Sequence, residues 1–118
     1  MSDKYILDPN VGGGRVPVPI DDVLEWADWF GKGSHSVKRD VIGAMTVSTV
    51  FLALDHSWGS GPPLLFETMV FRDGGGAVDD YTRRSSTWDE AEADHKEVAG
   101  IIEWKQHRIS GRTTRETK

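Results

Sequence analysis

The chain has 118 residues, no cysteine and a formal net charge of −5. That length suits one domain, and the missing cysteines exclude disulfides, thiolate zinc sites and cysteine nucleophiles. From Arg108 onward, Arg108, Arg112, Arg115 and Lys118 stand against Glu116, a balance of +3 that leaves −8 for the rest. So acidic a body argues against a broad nucleic-acid surface, which needs clustered Lys and Arg.

The N-terminus, MSDKYILDPN, lacks the basic start and apolar run of a signal peptide, and no stretch approaches the roughly 20 apolar residues of a membrane span. The expectation is a cytoplasmic protein. Residues 1–107 read as a single domain and 108–118 as a disordered basic tail.

In chain order, YILDPNVGGGRVPVPI from Tyr5 to Ile20 predicts a ragged edge hairpin, because Pro cannot donate to a central ladder. Asp21 or Asp22 then starts a helix through VLEWADWF, with Glu25 in the capping-box position and Gly31 as the stop. Val23, Trp26, Ala27 and Phe30 fall on one face, and Trp29 points elsewhere. Val37 to Leu54 is strand-like in two parts that meet near Gly43, and the second part is apolar on both faces, as in a central strand covered on both sides. A loop, DHSWGSGPP, leads to a second such strand from Leu64 to Arg72. Tyr81 to Ser86 predicts one more short strand. Thr87 and Glu90 form a capping box for a long helix reaching about Gln106, with Ala91, His95, Val98 and Ile102 as its inward stripe.

The outcome is an α+β fold: a small antiparallel sheet of about four or five strands, one helix before the central hairpin and a longer one after it. If both helices pack on one side, the other sheet face must meet the N-terminal segment or a second copy, so a homodimer is expected.

The oddity is Glu67, a carboxylate inside the apolar run LLFETMVF. With Asp55 paired to Leu64, Leu52 lies opposite Glu67, which shares a face with Leu65, Met69, Val50 and Leu54. A one-residue slip moves it to an equally apolar face. Burial without a partner costs several kcal/mol, so Glu67 must be protonated, paired, hydrogen-bonded or metal-bound. Two readings stay open. In one, Asp55, His56 and Glu67, joined by His95, form a site for a metal or for acid–base chemistry. In the other, Asp55 caps the loop, Glu67 pairs with Arg39, Arg72 or Arg83, and His95 is a satisfied core histidine.

No H-E-x-x-H or H-x-H-x-D spacing, G-x-S-x-G elbow or Ser-x-x-Lys is present, and the glycines at 12–14 and 74–76 lack the strand, helix and Lys-Ser/Thr context of a phosphate loop. The residues point away from catalysis, and no cofactor is expected. Trp58 in the loop suits recognition of a partner, or else folds back as a lid on the core.

The run from Val47 to Phe71, VSTVFLALDHSWGSGPPLLFETMVF, with YTRRSSTWDEAEADH and the opening YILDPN…PVPIDDVLEWADWF, resembles a family of small proteins of tailed bacteriophages and prophages. The resemblance spans most of residues 5 to 95. Its pattern has glycine where Ala53 and Asp94 stand. It implies a phage or prophage origin and a bacterial-host cytoplasm, and no reaction. Together these features point to a non-catalytic phage accessory protein that binds a host or defence protein through the loop His56–Gly61 and the acidic surface, with Asp55, His56, Trp58, Glu67 and His95 as binding candidates. The rival readings are a small-molecule or nucleotide sequestering protein with a pocket lined by His56, Glu67 and His95, and a metal-dependent hydrolase using the same three.

Overall fold

The computed structural model describes residues 3–117 except 34, 58 and 60, with side chains described through 108. The architecture is α+β. A two-stranded sheet pairs β1 (Tyr5–Leu7) with β2 (Pro17–Pro19), and a four-stranded antiparallel sheet runs in the order β3 (Ser36–Ile42), β4 (Met45–Phe51), β5 (Phe66–Arg72), β6 (Arg83–Ser85). Helix α1 (Val23–Phe30) precedes the sheet and α2 (Trp88–Thr117) follows it.

Local chemistry explains most of these boundaries. Asp22 caps α1 by accepting from Leu24 N and Glu25 N at 3.0 and 3.1 Å. At α2 the expected capping box is closed: Thr87 Oγ1 accepts from Glu90 N at 3.1 Å, and Glu90 Oε1 accepts from Ser86 N and Thr87 N. The α2 backbone is helical past Gln106 to Thr117; the tail expected from Arg108 onward falls almost wholly outside the described side chains.

The two parts of the stretch from Val37 to Leu54 are separate strands. Ile42 pairs with Met45, so Gly43 and Ala44 make a two-residue turn, and Gly43 adopts φ 61°, where glycine has no steric cost.

The inward stripe of α2 forms as expected: Ala91, His95, Val98 and Ile102 are all buried. They meet Val47, Thr49 and Phe51 of β4 and Phe66, Thr68 and Val70 of β5, which alternate onto one sheet face. The core divides along this face. One cluster gathers Val47, Val70, Val98, Ala99 and Ile102; the other gathers Phe51, Ala53, Leu65, Phe66 and Ala91, with Tyr5, Leu7, Trp26, Trp29 and Trp88 packed against it. The N-terminal hairpin and α1 therefore sit on the same side as α2.

Two expectations change. First, β4 and β5 are covered on one side only, because Thr46, Ser48 and Glu67 interleave with Val50 and Met69 on the other face, whose residues are all partly exposed. Second, α1 turns Trp26 and Trp29 inward, whereas Val23, Ala27 and Phe30 are exposed. The helix is only eight residues long, and both indoles find partners: Trp26 Nε1 donates to Ala53 O at 3.2 Å, and the Trp29 ring meets Phe51 edge-on at 5.8 Å.

Burial pushes the Asp94 carboxyl on α2 above the ordinary carboxylate value; Glu97 and Glu90 add to this and Arg83 opposes it. The folded state then holds the Asp94 proton more tightly than the unfolded chain. That contribution to stability is complete below the unfolded value of 3.8 and is lost as pH rises through the folded one. Asp94→Asn is thus expected to raise the melting temperature at about pH 7 and to bring no gain at about pH 3, which thermal melts at the two pH values check.

Candidate functional site

The hairpin register differs from the expected one by two residues. Val50, not Leu52, lies opposite Glu67, and Phe51 pairs with Phe66. The cause is Ala53, which takes φ 65° in the left-handed region and ends the ladder early. A shift of two preserves facing. It also lengthens the connection, which now runs from Leu52 to Leu65. Glycine would suit that φ; alanine keeps a buried methyl there instead.

Asp55 organises this connection. Its Oδ1 accepts from Ser57 N at 2.8 Å and from Leu64 N at 3.0 Å, clasping the two ends of the loop. The hydrogen bond from Ser57, with that from Leu64, holds the carboxyl below its ordinary value against the opposing effect of burial. His56 N donates to Leu64 O at 3.0 Å. Its ring Nδ1 lies 2.8 Å from Leu54 O, so Nδ1 carries a proton and donates it to that carbonyl. Trp58, the remaining loop candidate, lies outside the described residues.

Glu67 is a structural ion pair. Directly opposite Arg84 in the ladder, it accepts from Arg84 Nε at 2.9 Å. The partner is Arg84 rather than Arg39, Arg72 or Arg83, because Arg84 alternates onto the face away from α2 while Arg83 reaches towards Glu97 on the helix, 3.8 Å away.

His95 is buried, 1% exposed, and it ties α2 to three strands. Nε2 lies 2.7 Å from Asp40 Oδ2 on β3, and Nδ1 lies 2.7 Å from Thr49 Oγ1 on β4. Thr49 Oγ1 in turn lies 2.6 Å from Thr68 Oγ1 on β5. One assignment satisfies every atom with a neutral imidazole: Thr68 donates to Thr49, Thr49 donates to Nδ1, and Nε2–H donates to the Asp40 carboxylate. Carboxylate, imidazole and hydroxyl stand in the order of an acyl-transfer triad. Thr49, however, is 0% exposed, so no carbonyl can reach its oxygen. The chain of hydrogen bonds fixes the helix on the sheet.

The candidates therefore fall into three places. Asp55 and His56 share the loop, Glu67 lies on the open sheet face, and His95 lies on the helix side of the same sheet. The common pocket that the small-molecule and hydrolase readings require of His56, Glu67 and His95 is not formed. Among the described residues, no three His, Asp or Glu side chains are grouped to hold a metal ion. Sequence reading missed the partners of His95, Asp40 and Thr49, and Thr68 behind Thr49. Their signal was present in part: a threonine centres each of the apolar stripes VSTVF and FETMV, and a histidine sits in the inward stripe of the helix that crosses them.

Among the described residues no helix is long and apolar enough to cross a membrane. No protein-family model, no curated protein and no solved structure matches this chain.

Proposed function

We propose that this is a bacteriophage accessory protein that acts without catalysis in the host cytoplasm, by binding a host or defence protein through the connection between β4 and β5. The observation that carries this reading is the Asp55 clasp. By accepting from both Ser57 and Leu64, one carboxylate pre-forms the loop that contains Trp58, so less ordering entropy opposes association. Tryptophan is the residue type most enriched at binding hot spots.

Trp58→Ala is expected to leave the melting temperature unchanged and to abolish capture of a partner from host lysate. Asp55→Ala is expected to weaken the same capture by loosening the loop. Undiminished capture by both variants would remove the loop as the contact.

A homodimer is the accompanying oligomeric reading. It is supported by the open sheet face, where Val41 is 64% exposed and Phe71 37%. Native mass spectrometry of the gently purified chain reads the oligomeric state and any retained ligand in one spectrum.

A further inference from the structure

A cavity of about 270 Å³ lies where the start of β4 and the end of β5 meet α2, far along the sheet from the clasped loop. Its floor continues the core: Met45 and Val78 pack against the cluster that contains Ile102, and all three line the cavity. Its remaining lining is ionic and aromatic. Arg72 comes from the end of β5, Lys105 and Gln106 from α2, and Asp80 and Tyr81 from the 3₁₀ turn Asp79–Tyr81.

The charges there are unspent. Among the described residues, neither Arg72 nor Lys105 has a carboxylate partner; the Lys105 ammonium donates to the Tyr81 hydroxyl and lies over its ring, 5.0 Å from the centroid. Two cations and one carboxylate give the cavity the opposite sign to a chain of net charge −5. An apolar floor with convergent polar groups is the usual composition of a small-molecule site, and the volume falls just short of the roughly 300 Å³ at which such pockets ordinarily begin.

We propose that this cavity binds a small monocarboxylate with an apolar body. The carboxylate is held by the Arg72 guanidinium, whose fork of N–H donors matches two carboxylate oxygens, and by Lys105. The hydrocarbon lies against Met45, Val78 and Ile102. Asp80 sets the charge of the ligand: a phosphate dianion would meet its repulsion, whereas a single negative charge balances the surplus of one. This site is separate from the loop, so the inference does not rest on the proposed protein partner.

The test is titration of the ¹⁵N-labelled full chain with phenylacetate and hexanoate, beside phenethylamine, 2-phenylethanol and phenyl phosphate. Both carboxylates are expected to move the amide resonances of Val78, Tyr81 and Ile102, with dissociation constants of roughly millimolar order for ligands of this size. Arg72→Gln, at an exposed position, is expected to weaken phenylacetate about tenfold while leaving resonances elsewhere in place, the loss due to one charge-assisted hydrogen bond. Lys105→Gln repeats the test from the helix side. Equal binding of the alcohol or amine would overturn the proposal, as would tighter binding of the phosphate. So would undiminished affinity in both variants, or the absence of shifts up to about 10 mM. Trp58→Ala is expected to bind phenylacetate as the unchanged chain does, which separates this outcome from that of the loop.

Discussion

Replacing His95 with alanine is expected to cost roughly 3 kcal/mol or more in urea denaturation, a large share of the 5–15 kcal/mol that holds a typical domain folded. Two losses add. The ring is almost wholly buried, so its removal leaves a cavity that neighbouring atoms fill only in part. The hydroxyl pair of Thr49 and Thr68 also loses its outlet to Nδ1, at 1–3 kcal/mol for a buried polar group left without a partner.

Asp40→Asn is the informative companion. Asp40 sits at the solvent end of the chain with its side chain 43% exposed, and an amide can still accept from Nε2–H. Its cost is expected to stay within about 1 kcal/mol. A His95→Ala variant within the same 1 kcal/mol of the unchanged chain would show that the four-residue network does not hold α2 to the sheet.

Phe66→Ala is expected to be comparably severe, about 3–5 kcal/mol, through cavity formation at a site that cannot collapse. Phe66 has no exposed surface, and its ring lies 5.3 Å from that of Phe51 and 6.2 Å from that of Trp88. Its cluster joins the start of α2 to the N-terminal hairpin and α1 through Tyr5, Leu7, Trp26 and Trp29. Truncation should therefore loosen a whole unit rather than one contact. Tryptophan fluorescence and denaturation followed together check this: Trp26, Trp29 and Trp88 all report on the cluster, and their emission is expected to shift to the red before the sheet unfolds. A native emission spectrum with a loss below 1 kcal/mol would show that the cluster repacks freely.

The absence of a shared pocket for His56, Glu67 and His95 bears on function more than any single contact. Each of the three is polar within or beside an apolar stretch, which is also how site residues look in a sequence. Each has partners of its own instead: a carbonyl for His56, Arg84 for Glu67, and Asp40 with Thr49 for His95. Chemistry that needs all three together has no place to occur. Recognition is proposed instead for the loop and for the cavity beside Arg72.

Short-range physics was legible in the sequence. Asp22, Thr87 and Glu90 act on backbone groups within three or four residues of themselves, so the starts of both helices could be read from composition and spacing alone. The inward stripe Ala91, His95, Val98 and Ile102 follows from the helical period, and the α+β class follows from the order of the periodic segments. The turn at Gly43 was marked by the one residue that accepts its φ without strain.

What only the tertiary structure decided was long-range or depended on one backbone angle. Ala53 entering the left-handed region moved the β4–β5 register by two residues, and nothing in alanine announces that conformation. The partner of Glu67 followed from which face of β6 turned outward. The partners of His95 lie 46 and 55 residues away along the chain, on strands whose alternation could be read but whose alignment under the helix could not. Hydrogen bonds of that span form only once packing has brought three strands beneath one helix, and packing is a property of the whole chain.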